Sequence, residues 1–370
     1  MSHKQRIAYF AHSLRSDWNN GNAHFLRGLL REMGKMGHEV VIFEPSTEWS
    51  VANLLEERCG KESIRQFTAS YPDLQIQLYE ITSIKRPDTW RERLKEFDII
   101  FVHEWNPPTL AHMLLDLREE LGYHMLFHDT HHRASSSPEE MYLFSVDQFD
   151  GIVVFGEILR KIYRERFDMR HVWTLHEAAD TTVFRPLEAP KRNDVVWVGN
   201  WGDDERSDEI RQFLLYPARL LSERKFIIYG VRYPSEARRA LEEAGVHYGG
   251  YLANLNAPSV YASSRLTVHV PRQPYAKEMI GIPTIRVFEA LACGIPLISA
   301  PWRDSEGLFR EGDMKFVANG HEMHRAIERL LDHPEEAEQQ IERGRETVLA
   351  RHTCKHRAEE LTAICEEVLG

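Results

Sequence analysis

Short apolar runs recur along the chain, and most are followed by a longer stretch in which apolar residues return every three or four positions. The runs Ile7 to Ala11, Val40 to Phe43, Asp98 to Val102, Met125 to Phe127, Ile152 to Phe155 and Val172 to Leu175 are nearly continuous rather than alternating. Such runs mark strands buried on both faces, and the periodic stretches between them predict helices. A second series begins at DVVWVGN and continues through KFIIYG, RLTVHV and PLISA. Between the two series, TTVFRPLEAPKRND carries two prolines, mixed charge and little periodicity, and reads as a linker.

From Gly320 onward the pattern is helical, with Pro334 at a first helical position and Thr353 as an N-cap. The predicted fold class is α/β, with two Rossmann-like, doubly wound parallel-sheet domains. The first domain is expected over residues 1–180, the linker over 181–194 and the second domain over 195–350. The last helix, over 351–370, is expected to cross back to the first domain. Open parallel sheets receive ligands beyond the carboxyl ends of their strands. Two such domains facing each other predict a cleft lined by both sets of loops.

Length and composition agree with two ordinary globular domains, at 370 residues, 42% hydrophobic and 28% charged. A formal net charge of -11 argues against a general nucleic-acid or anionic-membrane surface, leaving room for a local basic pocket. The four cysteines form no C-x-x-C pair, so neither a disulfide framework nor a zinc knuckle is indicated. No apolar segment has the length of a signal peptide or a transmembrane helix. A soluble, cytoplasmic protein is expected.

The chemistry should lie in the loops after the strands. The first, HSLRSDWNNGNAHFLRGLL, leads through Gly21 and Asn22 into a helix carrying Phe25, Leu26, Leu29 and Leu30. Its N-terminus can hold an anion or a sugar hydroxyl; the alternative is a mobile loop with a simple helix N-cap. It is neither a G-x-G-x-x-G loop nor a Walker A sequence, so a dinucleotide or ATP site is unsupported. FVHEWNPPTL places His103 and Glu104 at a strand end, and FHDTHHRASSSPEE adds His128, Asp129, His131 and His132. These groups suit hydrogen bonding to sugar hydroxyls or phosphate, with one acting as a general base, or else simple capping of the next helix. They match no recognised metal-ligand spacing, and neither a metal nor a cofactor is expected.

In the second domain, Gly199 and Gly202 permit close backbone approach to a ligand, and Arg206 stands just before a helix. Asp203, Asp204 and Glu205 are alternative partners for that arginine. Arg232, Arg272 and Lys277 also follow strand ends, a pattern that suits a doubly charged anion such as a diphosphate. In GIPTIRVFEALACGIPLISAPW, Gly281 and Pro283 set a turn, Thr284 can cap, and a helix runs from Ile285 to Ala292 until Gly294 ends it. Arg286, Glu289 and Cys293 share one side of it. An arginine in the first turn opposes the helix dipole unless an anion is present. The two oxygens of Glu289 suit the paired hydroxyls of a ribose; the alternative is an Arg–Glu pair within the helix.

That segment resembles the donor-binding helix of GT-B fold glycosyltransferases, especially the glycogen-synthase-like (family 4 type) retaining enzymes and the spore-maturation CgeB-like group. TLHEAADTTVFRP resembles their interdomain segment, YGGYLANLNAPSVYASSRLTVHVPR the surroundings of the base, and GLFREGDMKFV through RHTCKHRAEEL the C-terminal helices. The likeness covers residues 170–370; before that it is limited to the α/β pattern. It implies a metal-independent, retaining transferase moving a sugar from a nucleotide diphosphate, UDP-linked by preference, to a hydroxyl acceptor. By the same resemblance the first domain binds the acceptor, the second binds the donor, and closure excludes water.

The resemblance makes Glu289 the ribose ligand, Arg206 with Arg286 or Lys277 the diphosphate ligands, and His103 a contact to the donor sugar. Gly199, Arg232, Tyr251 and Arg272 complete the donor candidates. Glu104, His128 and Asp129 join His103 as catalytic candidates, and Asn22, His24 and Glu177 are acceptor candidates. The second glutamate of the retaining family, eight positions before the first, falls here on Gly281. A nucleotide-sugar epimerase and a non-catalytic nucleotide-sugar or glycan-binding protein are the rival readings.

Overall fold

Seven strands of the first half run parallel: β1 (Arg6–Phe10), β2 (Glu39–Pro45), β3 (Gln75–Tyr79), β4 (Ile99–His103), β5 (His124–Asp129), β6 (Gly151–Val154) and β7 (Val172–Thr174). Their order in the sheet of this computed structural model, which describes residues 4–370, is β3-β2-β1-β4-β5-β6-β7. Ile7 to Phe10 and Ile99 to Val102 at its centre are completely buried, which is why these runs are apolar on both faces. β3 escaped the sequence reading. It is an edge strand, QIQLY, mostly exposed and therefore without a continuous apolar run.

The second sheet is also all-parallel, in the order β10-β9-β8-β11-β12-β13. Its strands are β8 (Asn193–Val198), β9 (Phe226–Tyr229), β10 (Val246–Tyr248), β11 (Ser264–His269), β12 (Leu297–Ser299) and β13 (Lys315–Phe316). β8 starts two residues inside the stretch read as a linker. β10 and β13, at the two edges, are too short to show a pattern in sequence. In both sheets the strand order reverses beside the first strand, at β1/β4 and at β8/β11, the switch points where doubly wound folds bind ligands.

The chain divides into two compact units, one made by the segment through Glu177 together with Cys354–Gly370, the other by Ala178–Thr353. The helix Cys354–Leu369 completes the first unit by packing on the helix Ala23–Lys35. Polar contacts fix its seat there: the His38 Nε2 lies 3.1 Å from the Thr362 hydroxyl, and Arg357 Nε donates to the His176 carbonyl at 2.9 Å. No helix among the described residues is long and apolar enough to cross a membrane.

Candidate functional site

The helix Ile285–Cys293 ends at Gly294, whose φ of 68° is the left-handed C-cap conformation. Its start differs from expectation. The Thr284 side chain makes no capping bond; its hydroxyl lies 3.0 Å from Nε2 of His269. That histidine, at the last position of β11, is fully engaged, with Nδ1 2.8 Å from the Ser299 hydroxyl. Burial, followed by the nearby charge of Arg206, holds its pKa down to about 3, so it is neutral at physiological pH. Sequence reasoning passed over His269, although its place at the end of RLTVHV was the available signal.

Arg206 is the centre of the cluster. It is 8% exposed. Nη1 donates to the Val270 carbonyl at 3.2 Å, and Nη2 donates to the Asn200 carbonyl and Oδ1 at 2.7 and 2.5 Å. The guanidinium lies 5.0 Å from the Trp197 ring centroid. Glycines shape this seat: a Cβ at Gly202, where φ is 84°, would come within 2.8 Å of the Arg206 side chain, and one at Gly199 within 2.7 Å of the Trp197 ring. Burial, then the proximity of Arg272 and Arg286, brings the Arg206 pKa down to about 9. Glu205 pairs with Arg272 at 2.6 Å, and the contacts of Arg206 are to neutral oxygens.

Arg286 donates through Nη1 to Oε2 of Glu289, and that carboxylate is completely buried. The charge of Glu289 is felt by Tyr261 and Cys293, whose pKa values are raised by burial first and by Glu289 second. Electrostatics thus link Arg206, Arg272, Arg286 and Glu289. Lys277 and Arg232 are solvent-facing, the former bonded to Gln273 Oε1 at 3.0 Å and the latter at a φ of 59°; Tyr251 is half-buried. Gly281 has a φ of 105°, and a Cβ there would meet Ser305 Oγ at 2.6 Å and Glu306 Oε1 at 2.9 Å. A neighbouring carboxylate therefore comes close to the place where the resemblance would put a glutamate.

In the first unit, His103, Glu104, His128 and Asp129 gather at the carboxyl ends of β4 and β5, all essentially buried. Glu104 accepts from the Thr130 hydroxyl at 2.9 Å and from Arg133 at 3.1 Å. Asp129 accepts from the Tyr163 hydroxyl at 2.7 Å and the His131 amide at 2.9 Å. Burial raises the pKa of both carboxyls, and for Glu104 the charge of Asp129 adds to it, so the two titrate as a pair. His128, 2.7 Å from the Tyr9 hydroxyl, is held near 3 by burial. His103, 3.1 Å from the Thr130 hydroxyl, is pushed well below its usual value by burial and then by His128. Asn22 joins this network by donating to the same hydroxyl at 2.8 Å; His24 and Glu177 are buried.

Sequence reasoning also missed Glu44, a fully buried carboxylate after the apolar core of β2. It accepts from Ser13 Oγ at 3.0 Å, Leu14 N at 2.9 Å and Arg15 Nε at 2.7 Å, fixing the loop that follows β1. Among the described residues the strand-end histidines do not form a three-ligand group; the group that does, His333, Glu335 and Glu336, is largely exposed at a helix start.

Two sequence families match, one described as Glycosyltransferase Family 4 over residues 19–183 and one as Glycosyl transferase-like over residues 206–363. The fold is similar end to end to a solved glycosyltransferase from Rickettsia africae ESF-5, at 13% identity over 99% of each chain with a TM-score of 0.70. The chain belongs to the GT-B glycosyltransferases. This glycosyltransferase is also similar to sucrose-phosphate synthase from Thermosynechococcus elongatus, at 15% identity over 99% of each chain and a TM-score of 0.69. Anabaena HepE in complex with UDP and glucose is similar at 13% identity, covering 98% of this chain and 99% of that one, with a TM-score of 0.68. No curated protein matches the glycosyltransferase by sequence.

Proposed function

We propose that this glycosyltransferase moves a hexosyl group from a UDP-sugar to a hydroxyl acceptor, with retention at the anomeric carbon and without a divalent ion. The observation that carries the reading is Arg206: a buried guanidinium in contact with neutral oxygens, with Arg272 and Arg286 close enough to depress its pKa. A buried cation so placed is costly unless an anion completes it. A diphosphate is an anion of suitable charge and shape for forked guanidinium donors. The same arginines stabilise the diphosphate as it leaves, the work that a metal ion does elsewhere.

Glu289 then receives the ribose hydroxyls, in exchange for part of its contact with Arg286. The UDP complex of HepE supports uridine as the base. The residues through 177 serve the acceptor, with Asn22, His24 and Glu177 as contacts and His103, Glu104, His128 and Asp129 as the polar groups near the reacting atoms. In a retaining reaction the departing diphosphate can itself take the acceptor proton, so these buried groups need only orient and neutralise.

Thermal unfolding with UDP, GDP, ADP and their common sugar conjugates, with excess chelator, tests this reading. A ligand at a hundred times its Kd stabilises by about 2.7 kcal/mol. UDP and one UDP-sugar are expected to raise Tm, with slow hydrolysis of that sugar donor. No shift with any nucleotide would remove the donor assignment, and a strict demand for added metal would remove the metal-free one.

A further inference from the structure

Of the eight tryptophans, Trp49 and Trp105 are the exposed ones among the described residues, at 41% and 38%. They come from different loops, one after β2 and the other after β4. Both nevertheless lie against His12, two residues beyond β1, with ring centroids 5.1 Å and 6.2 Å from it. The three residues thus straddle the β1/β4 switch point, where a doubly wound sheet binds its ligand.

The surroundings hold these rings in place. Trp18 meets Trp49 edge-on at 6.0 Å and is tied by its indole N–H to Glu57 at 3.0 Å. Arg133 lies 4.4 Å from the Trp105 ring centroid, and the same ring meets His131 edge-on at 5.0 Å. His12 is 5% exposed, with Nδ1 3.0 Å from Glu48 Oε1, while its Nε2 is buried with no hydrogen-bond partner. An unsatisfied buried polar atom is costly to the fold. Trp49 and Trp105 also keep 41% and 38% of their surface open to water, apolar area that a ligand could still cover. A ligand with apolar faces and polar edges would cover the exposed part of both indoles and supply a partner for His12 Nε2.

We propose that Trp49, Trp105 and His12 form an acceptor subsite for a carbohydrate. This rests on the glycosyl-transfer reading and names the class of its acceptor. The C–H faces of a sugar ring stack on the indoles, and a ring hydroxyl pairs with His12 Nε2. An aromatic acceptor would instead want continuous apolar walls, but here the rings alternate with Glu48, His131 and Arg133.

Calorimetric titration of the full chain with maltose, cellobiose and chitobiose, with 4-nitrophenol as the aromatic comparison, tests the subsite without any donor. At least one disaccharide is expected to bind. Trp49→Ala and Trp105→Ala should each weaken it at least tenfold, the corresponding Phe variants should recover part of the loss, and UDP affinity should stay unchanged. The proposal is overturned if no disaccharide binds, if the alanine variants bind as the parent does, or if 4-nitrophenol binds more tightly than every disaccharide. Absence of UDP binding in the parent chain would sink the donor reading separately, because the saccharide titration does not depend on it.

Discussion

Arg286 closes over the carboxylate of Glu289 one helical turn away, its own side chain 26% exposed and that of Glu289 completely buried. The asymmetry decides what each substitution does. Arg286→Ala takes a cation away from a buried carboxylate, a loss of roughly 3 kcal/mol, whereas Glu289→Gln leaves a cation that water can reach. The double variant Arg286→Ala with Glu289→Gln should therefore be more stable than Arg286→Ala alone in urea unfolding. If Glu289 binds the ribose, Glu289→Gln also lowers UDP affinity at least tenfold with nearly unchanged stability. An unaltered Kd in that variant would reduce the pair to a structural contact.

Arg206 calls for the opposite balance. Replacing it with Met removes a buried cation and its desolvation cost while forfeiting hydrogen bonds to Asn200 and Val270. The two effects should offset to within about 1 kcal/mol of stability. UDP affinity should fall at least tenfold, and Arg206→Lys should fail to restore it, since a lysine cannot reproduce the fork seated on Trp197. Full UDP binding by either variant would refute the diphosphate role.

The legibility of the chain follows burial. Central strands such as β1 and β4 were visible because both faces are covered and every position is apolar. The edge strands β3 and β13 were not, because solvent on their faces permits polar residues and an ordinary loop composition. Arg206 could be chosen from its position after a strand and Glu289 from its spacing to Arg286 along a helix, but position alone does not reveal which carboxylate an arginine meets. Only the fold shows Glu205 turned to Arg272, and His269 bound to Thr284 in place of a helix cap. The Trp49 and Trp105 grouping was invisible for the same reason: 55 intervening residues carry no trace of a shared neighbour in His12.

Gly281 bears on whether a family-like carboxylate can simply be put back. Its φ of 105° lies where side chains other than glycine are strained, and a Cβ would press on Ser305 Oγ and Glu306 Oε1. Gly281→Glu adds a negative charge beside Glu306 as well. The variant is expected to lose at least about 2 kcal/mol of stability and to gain no transfer activity. A stable Gly281→Glu protein with faster turnover would show that the loop around residue 281 adapts at little cost and that this position was waiting for its acid.

His269 gives the pH dependence a sign. An unfolded histidine takes up its proton near pH 6.5. In the fold His269 does so only near pH 3, so between those values the unfolded state binds more protons and stability falls as pH falls. His128 adds a loss in the same direction, while the raised carboxyls of Glu104 and Asp129 work the other way, because folding retains protons there that the unfolded chain releases above about pH 4. The net curve therefore mixes opposing contributions, and a variant isolates one. His269→Gln can keep hydrogen bonds to Ser299 and Thr284 without titrating. Between pH 7 and pH 5 the parent should lose about 2 kcal/mol more than this variant in urea unfolding, from one proton over roughly 1.5 pH units. A gap between the two proteins that stays constant with pH would mean that His269 takes up its proton in the fold as readily as in the unfolded chain, so that below about pH 6.5 an imidazolium would face Arg206 in place of the neutral imidazole.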